Sequence, residues 1–379
     1  MRVLIGVSGS IAAFKSLILA RLLYKEGHEV GVVLTRGALN FITPLSFQEL
    51  AGARVLTDDD FFKGNTHIDL ARWADVMVVA PATYNVIGKV ASGIADDLLT
   101  ATAAAFPHPI VFAPAMHTEM WHNRILRRNL DILRGVGHVI LPVGEGPLAS
   151  GDVGEGRMLE PEEIAHYISR LERLMEFWAG KRVVITYGGT YEPIDDVRVI
   201  TNRSSGRMGL ALASWLSMAR AHVVAVACGG VPTAPSAEFH RVGRVLELRN
   251  LLLDMDYDYL FMAAAVSDYA PDYRPGKIKK SSDVLTLHLK RTVDVLSELG
   301  RNKKGTLVGF ALEERDRLEE EAMRKLREKN LDYVVANPID AIGSERTEVF
   351  LFGREGLLGR YSGNKWQVAS EIVMRLASV

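Results

Sequence analysis

The first half of the chain alternates short apolar runs with helical patterns. Its β-branched runs lie at residues 3–7, 30–34, 76–80, 110–113 and 139–141. An amphipathic helix is predicted over residues 11–26, directly after the first run. Apolar runs of strand length that alternate with helices are typical of a parallel sheet covered by helices on both faces. We therefore predict a doubly wound α/β domain here.

The second half repeats this alternation. Its apolar runs lie at 183–186, 223–227, 259–263, 307–310 and 333–336, and its helices are predicted over 206–219 and 313–330. Between the halves, residues 161–178 have the apolar spacing of an amphipathic helix, which Gly180 and Lys181 end. A chain of 379 residues exceeds what one hydrophobic core usually serves. We predict two Rossmann-like, doubly wound α/β domains, residues 1–180 and 181–379.

Composition narrows the classes of partner. Apolar residues make up 48% and charged residues 24%, and the formal net charge is −1. This balance gives no electrostatic reason to expect nucleic acid or an anionic membrane as a partner. The single cysteine, Cys228, excludes an intramolecular disulfide framework and multi-cysteine metal sites. With no apparent signal peptide or membrane-spanning run, we expect a cytoplasmic protein that acts on small molecules.

Each half opens with a strand that runs into a glycine-containing turn. The first reads "VLIGVSGSIAAFK" and places Ser8, Gly9 and Ser10 after the strand, and the second, "VVITYGGTYEPID", places Gly188 and Gly189 there. Backbone N–H groups at such a turn and at a following helix start can receive a phosphate. Neither turn has the GxGxxG pattern, and any tight strand-to-helix turn favours glycine, so a structural interpretation remains open.

Further candidate residues follow the other strands of the first half. Thr35 follows the second strand, "PATYN" (81–85) the third and "PAMHTEMW" (114–121) the fourth. Ligands of open α/β sheets bind beyond the carboxyl ends of the strands, so an aromatic ring system could lie against these segments. A methionine and tryptophan stripe is more often part of a core. His67, ahead of a short helical segment, is expected to face outward, and by itself suits a surface or capping residue.

Four of these segments together resemble the flavin-dependent cysteine decarboxylases: "SGSIAA", "HIDLARWAD", "PATYN" and "PAMHTEMW". The resemblance implies a flavodoxin-like domain that binds FMN and loses CO₂ from a cysteinyl carboxylate after oxidation of the side chain by the flavin. It implies His67 as the catalytic acid/base, and Met116 and His117 as contacts to flavin and substrate at a subunit interface. The residues expected to bind the cofactor are Ser8, Gly9, Ser10, Thr35, Ala82, Thr83, Asn85 and Met116.

Two residues depart from the pattern of that family. His117 replaces an asparagine and can still hydrogen-bond a substrate carboxylate. Ser150, in "LASGDVGEGRM", stands where a cysteine is usual and should be the poorer proton donor. A natural variant with another donor, a truncated reaction and an engineered substitution all remain open for Ser150. We expect the half to decarboxylate its substrate.

The second half carries a glycine loop and clustered lysines. In "TYGGTYEPIDDVRVITNRSSGRMG" (186–209), Ser204 and Ser205 could cap the next helix. Lys325 and Lys329 are four residues apart on a predicted helix, so both amines share one face, which suits a polyphosphate. A solvated helix with ion pairs is the alternative, and Lys277 could likewise be plain surface.

These segments, with "AAAVSDYAPDYRPGKIKK" and "VGFALE", are closely similar to phosphopantothenoylcysteine synthetase over nearly all of 181–379. The resemblance implies that CTP, assisted by Mg²⁺, activates the carboxylate of 4′-phosphopantothenate as an acyl-cytidylate, which the amine of cysteine then attacks. Tyr187 stands where alanine is usual. By resemblance, Asn202 stabilises the acyl-cytidylate, and the nucleotide contacts are Gly188, Gly189, Asp268, Lys277, Phe310, Lys325 and Lys329, with Lys277 also placed in the catalytic set.

The two resemblances occur in the order found in bifunctional coenzyme A biosynthesis proteins, with the decarboxylase first and the ligase second. That family implies a homo-oligomer with trimeric flavin domains and dimeric ligase domains. A nicotinamide-dependent oxidoreductase is an alternative, although GxGxxG is lacking after the first strand. A second alternative, kept open by Ser150, is an active ligase whose flavin domain is impaired or only a scaffold.

Overall fold

The computed structural model describes residues 1–147, 151–279, 284–339 and 346–379. The chain separates into two compact units, Met1–Arg173 and Leu174–Val379. The division falls within a long helix, α8 (Pro161–Trp178), whereas the sequence places a domain boundary after it.

The first unit is a doubly wound α/β domain. Its strands are β1 (Arg2–Val7), β2 (Glu29–Leu34), β3 (Arg54–Thr57), β4 (Val76–Ala82), β5 (Val111–Pro114), β6 (Val139–Ile140), β7 (Gly144–Pro147) and β8 (Val153–Arg157). Its helices, besides the start of α8, are α1 (Ala13–Lys25), α2 (Pro44–Ala51), α3 (Thr66–Trp73), α4 (Tyr84–Ala91), α5 (Leu98–Ala105), α6 (Thr118–Trp121) and α7 (Arg124–Gly135).

Six parallel strands form the sheet of this unit, in the order β3-β2-β1-β4-β5-β6. Strand β4 is buried along its whole length, as expected for a parallel sheet with both faces covered. The five strands predicted from apolar runs are confirmed. The sequence did not predict strand β3 ("RVLT") or the antiparallel hairpin β7–β8. Neither contains a continuous apolar run of strand length.

The second unit repeats the architecture with more strands. They are β9 (Arg182–Gly188), β10 (Tyr191–Pro193), β11 (Val199–Thr201), β12 (His222–Cys228), β13 (Glu238–Val242), β14 (Tyr259–Met262), β15 (Tyr269–Pro271), β16 (Leu289–Arg291), β17 (Thr306–Glu313), β18 (Tyr333–Pro338), β19 (Arg346–Gly353) and β20 (Gly356–Asn364). The helices are the end of α8, α9 (Arg207–Met218), α10 (Val245–Asp254), α11 (Val295–Arg301), α12 (Leu318–Glu328) and α13 (Lys365–Leu376).

The main sheet of the second unit has eight strands in the order β13-β12-β9-β14-β17-β18-β19-β20. The first six are parallel, and the hairpin β19–β20 adds an antiparallel edge. The doubly wound prediction is confirmed in both halves.

Two local predictions in this unit are wrong. The charged helix predicted over 313–330 begins only at Leu318, because Glu313 still belongs to β17. The N-cap of α9 is Gly206, in the left-handed region at φ 70°, and no side chain caps the helix. A Cβ at Gly206 would lie 3.0 Å from the ring of Tyr187, so the tight turn rather than a serine hydroxyl sets this helix start.

Both sheets have their switch point beside their first strand. The chain builds outward from β1 to β2 and β3, then crosses to β4 on the other side; in the second unit, β9 and β14 are related in the same way. Ligands of doubly wound sheets bind at the carboxyl ends of the strands at such a point. The two crevices therefore lie beyond Val7 and Gly188.

Candidate active sites

At the first switch point, Ser8 joins the ends of β1 and β4. Its buried hydroxyl donates to the Pro81 carbonyl oxygen at 2.7 Å, lies 3.0 Å from the Thr83 hydroxyl and accepts from the Thr83 amide at 3.1 Å. Ala82, between these residues, is fully buried. Of the predicted cofactor residues, Ser8 and Thr83 are thus brought together. Asn85 lies exposed in the first turn of α4.

The turns after β1 and β2 pack closely against each other. A Cβ at Gly9 would lie 2.8 Å from the carbonyl carbon of Gly37, so only glycine allows this approach. Ser10 accepts a hydrogen bond from the Ala12 amide at 3.2 Å, just before α1. Thr35 donates to the Val7 carbonyl at 3.3 Å. The predicted residues on these two turns therefore line one edge of the crevice.

His67 lies inside α3 rather than ahead of it, and it does not face outward as predicted. The ring is half-buried and edge-on to the Phe61 ring, with 5.8 Å between centroids. Its Nδ1 is buried and has no hydrogen-bond partner among the described residues. A buried nitrogen without a hydrogen-bond partner costs free energy, unless a bound molecule or a water supplies the missing hydrogen bond. This environment suits a histidine that exchanges a proton with a ligand.

The segment after β5 is covered by the hairpin β7–β8. The Met116 amide donates to the Gly156 carbonyl at 3.0 Å, and His117 Nε2 lies 3.0 Å from Asp152 Oδ2. Because His117 Nδ1 accepts from the Glu119 amide at 3.3 Å, Nε2 carries the hydrogen and donates to Asp152. The Nε2–H expected to meet a substrate carboxylate is therefore held by a carboxylate of the protein.

This hairpin was not predicted from the sequence. Its glycines are the available signal: Gly156 has φ 128°, and a Cβ there would lie 2.2 Å from the Met116 carbonyl oxygen. The predicted proton donor Ser150 lies outside the described residues.

At the second switch point, the Gly188–Gly189 turn closes onto the end of β14. Gly188 is left-handed at φ 87°, and a Cβ there would lie 2.3 Å from the Cys228 carbonyl oxygen. The Ala265 amide donates to the Gly188 carbonyl at 2.8 Å. Asn202 Nδ2 donates to the Ala265 carbonyl at 3.0 Å. The structure therefore brings Asn202 to this glycine turn, and its role there stays a prediction.

The position of Tyr187 requires a glycine in the facing turn of α9. Its buried hydroxyl donates to the Pro232 carbonyl at 2.9 Å and accepts from the Ala234 amide at 3.0 Å. A Cβ at Gly209 would lie 2.3 Å from the Tyr187 Cβ, so α9 approaches the strand only with glycine there. Burial raises the pKa of Tyr187 to about 12. The ring thus ties the loop after β12 to the strand beneath the glycine turn.

The other predicted nucleotide contacts lie after β14, within β17, and in or directly after α12. Asp268 is exposed, and its carbonyl accepts from the Thr292 amide at 2.9 Å. Phe310 is half-buried in β17. Lys325 and Lys329 each meet a carboxylate: Lys325 Nζ lies 2.6 Å from Glu313, and Lys329 Nζ 2.8 Å from Asp294. These two carboxylates were not predicted as site residues.

Lys277 lies exposed on a separate segment. The flanking amides are anchored to the "PIDD" motif: Gly276 donates to Asp196 at 3.0 Å and Ile278 to Asp195 at 3.0 Å. Burial opposes ionisation of Asp195, but the backbone amides outweigh it and lower its pKa. Among the described residues, no group of three or more histidine, cysteine, aspartate or glutamate side chains could hold a metal ion.

An open cavity of about 760 Å³ lies at the amino ends of strands in the second unit, on the edge opposite the switch point. Its lining includes Lys181, Tyr257 and Lys303. The predicted site residues lie instead at the carboxyl ends, as doubly wound folds lead one to expect. In the part of the chain that the structure describes, no helix is both long and apolar enough to cross a membrane.

Two family models match the chain, one over each half. A family model named Flavoprotein matches residues 1–172, and the model of the DNA/pantothenate metabolism flavoprotein C-terminal domain matches residues 178–379. The chain is therefore a two-domain protein of the pantothenate-metabolism flavoprotein class. It belongs to the family of coenzyme A biosynthesis bifunctional proteins CoaBC, as the two resemblances predicted.

Full-length relatives establish this membership. The chain is 40% identical to the CoaBC protein of Bacillus subtilis (strain 168) over 100% of this chain and 97% of the relative. It is 39% identical to the CoaBC protein of Vibrio cholerae serotype O1 over 94% and 92% of the two chains. Among solved structures, a PPC decarboxylase mutant complexed with pantothenoylaminoethenethiol is 39% identical, covers 44% of this chain and 96% of that chain, and has a TM-score of 0.42.

The family is one of bifunctional enzymes of coenzyme A biosynthesis with decarboxylase and ligase roles. The prediction of a bifunctional enzyme is thereby confirmed, and the flavin expectation is confirmed at the level of the Flavoprotein family. The nicotinamide-dependent alternative receives no support from these relatives. The identity of the nucleotide, the metal and the individual site residues stays a prediction.

Proposed function

We propose that residues 174–379 join cysteine to 4′-phosphopantothenate with CTP, and that residues 1–173 then decarboxylate the product with FMN. The observation that carries this proposal is the match of both halves, in this order, to full-length relatives named as bifunctional. The switch-point crevices support it, because each lies where a doubly wound sheet binds its ligand. We infer a cytoplasmic location from the small-molecule chemistry.

In the first unit, FMN would supply the electron sink that loss of CO₂ from a cysteinyl carboxylate needs. Two observations support such a group: the turn after β1 leads directly into the start of α1, where helix amides favour a phosphate, and His67 Nδ1 lacks a partner among the described residues. We assign phosphate binding to the turn at Ser8, Gly9 and Ser10, and proton exchange with the substrate to His67. His117 would bind the substrate carboxylate once Asp152 gives up the Nε2–H.

In the second unit, CTP would convert a carboxylate oxygen, a poor leaving group, into CMP, a good one. Asn202, at the glycine turn, would donate to the developing charge of the acyl-cytidylate. Lys325 and Lys329 would neutralise the phosphates, with Lys277 joining from its own segment and Mg²⁺ assisting. No group of three metal-binding side chains occurs among the described residues, so Mg²⁺ would arrive with the nucleotide and retain water ligands.

We also propose that the chain assembles into oligomers, with trimeric first units and dimeric second units. Exposed apolar side chains in and beside α1 and α2 support association of the first unit: Ile11 is 56% exposed, Phe14 52% and Leu45 60%. Association would remove these apolar side chains from water. Light scattering of the purified protein measures the stoichiometry, and a monomer would contradict the assembly.

The function is tested on the purified full-length protein in two steps. First, its visible spectrum shows whether it carries a flavin. Then 4′-phosphopantothenate, cysteine, CTP and Mg²⁺ are added, and the products are followed by mass spectrometry together with pyrophosphate and CO₂. We expect phosphopantothenoylcysteine and then its decarboxylated product. Ligation without CO₂ release would favour the scaffold interpretation of the first unit, and a colourless protein that releases no pyrophosphate would refute both assignments.

A further inference from the structure

The lysine face, defined as Lys325 of α12 and Lys329 directly after this helix, is already occupied by carboxylates of the same chain. Lys325 Nζ lies 2.6 Å from Glu313, the last residue of β17. Lys329 Nζ lies 2.8 Å from Asp294, the residue before α11. Each pair joins α12 to a different element, so the two contacts are independent.

Both carboxylates lie on the ligand side of the sheet. Glu313 follows Phe310 by three residues at the carboxyl end of its strand. Asp294 follows Thr292, whose amide and hydroxyl donate to the Asp268 and Ser267 carbonyls at 2.9 and 2.6 Å. The pairs therefore stand beside the residues that are predicted to contact the nucleotide.

Both pairs are partly shielded from solvent. The four side chains are between 22% and 49% exposed. Burial opposes ionisation of Asp294, but its hydrogen bonds to Lys329 and to the Ser297 amide outweigh it and lower the pKa of Asp294. A polyphosphate that approaches this face meets two negative charges beside the two positive ones, and it must share or displace the lysines' present partners.

We propose that Glu313 and Asp294 act as internal competitors of the polyphosphate for Lys325 and Lys329, and so weaken nucleotide binding. The inference rests on the proposed ligase function. Its consequence for the reaction is that both carboxylates recapture the lysines when pyrophosphate leaves, which favours product release. They contact the lysines rather than the reacting atoms, so they are affinity-setting residues and not catalytic ones.

The test compares Glu313→Gln and Asp294→Asn with the wild-type full-length protein. Each change keeps size and a hydrogen-bond acceptor and removes the negative charge. The amide oxygen introduced by Asp294→Asn can still accept from the Ser297 amide, which lies 3.0 Å from the Asp294 carboxylate, so α11 should still form. Glu314→Gln is the matched control, because it makes the same charge change at the next, exposed position.

Binding of CTP and of inorganic pyrophosphate is measured by calorimetry in EDTA, where no divalent cation screens the carboxylates. We expect each variant to bind both probes about two- to fivefold more tightly than wild type, the scale of a partly exposed ion pair, and Glu314→Gln to leave the affinity essentially unchanged. Unchanged or weaker binding by the two variants, or equal tightening in the control, would overturn the proposal.

A parallel titration of the wild-type protein with CTP and Mg²⁺ tests the ligase assignment separately from the competition by Glu313 and Asp294. If the wild-type protein binds no nucleotide under either condition, the ligase assignment and the inference fail together. If it binds nucleotide while the variants gain nothing in EDTA, only the competition by Glu313 and Asp294 is refuted.

Discussion

The two units share a strand order around their first strand but differ in the side chains that surround its end. In the first unit the crevice is closed by hydroxyl groups, where Ser8 links to Pro81 and Thr83. In the second unit, Gly188 ends the first strand of the sheet, and other elements of the same unit carry charged pairs such as Lys325–Glu313. One topology therefore presents two different sets of side chains at its switch point, as expected where the sheet sets the position of a ligand site and the loops set its chemistry.

Replacing His67 should strongly reduce the activity of the first unit and leave that of the second unit intact. His67→Asn should lower decarboxylation about 10²- to 10⁴-fold, the usual contribution of a general acid or base. Ligation, measured as pyrophosphate release in the same preparation, should stay at the wild-type rate and serves as the internal control. Decarboxylation at the wild-type rate would remove His67 from the chemistry.

The reciprocal change lies in the second unit. Asn202→Ala removes the amide that lies 3.0 Å from the Ala265 carbonyl, and ligation should fall about 10²- to 10³-fold, as for loss of one donor to a developing charge. CTP should still bind by calorimetry, and decarboxylation of supplied phosphopantothenoylcysteine should be unaffected. Amide formation at the unchanged rate would contradict the role of Asn202.

The units should also differ in their response to acid. Burial lowers the pKa of His138 from 6.5 to about 4, while its Nδ1 accepts from the Ile110 amide at 3.0 Å. Between pH 6.5 and 4 the unfolded chain binds a proton that the folded unit does not. The free energy of unfolding of the first unit should therefore fall through this window by roughly 2 kcal/mol after allowance for partial exposure.

His28 adds to this trend, since burial also lowers its pKa. Hydrogen exchange of peptides from β5, followed by mass spectrometry, measures the effect in the first unit alone. His138→Gln should flatten the acid dependence, whereas His166→Gln, at an exposed position of α8, should leave it unchanged. The same acid dependence in both variants and in wild type would show that His138 is not responsible.

A smaller change is expected in the free energy of unfolding of the second unit at alkaline pH. Tyr187→Phe removes the hydrogen bonds to Pro232 and Ala234 and should lower the free energy of unfolding at pH 7 by about 1–2 kcal/mol. Above pH 10 the unfolded phenol ionises, while the folded one, with a pKa of about 12, does not. The stability advantage of wild type over the variant should therefore shrink as pH rises from 10 to about 12.

Hydrogen exchange of peptides from β9 follows this difference. Tyr269→Phe, at a 53% exposed position, is the control and should change stability little at either pH. An advantage of wild type that persists undiminished at about pH 12 would show that the phenol does not ionise on unfolding.

The doubly wound folds could be predicted from the sequence, because continuous apolar strands and amphipathic helices are local patterns that each segment carries. The sequence also determined the family, since motifs such as "PAMHTEMW" and the 186–209 segment are contiguous. It placed Ser8 and Gly188 at strand ends, where the structure has them.

Which charged side chains pair with each other depends on the folded chain. His117 and Asp152 are 35 positions apart in the chain, as are Asp294 and Lys329, and no local pattern signals such pairs. The partial burial of His67 depends on Phe61 and on how α3 packs, not on the helix's own spacing. Contacts of this kind form only when separate elements fold together, so the carboxylates that hold His117, Lys325 and Lys329 became visible only in the folded chain.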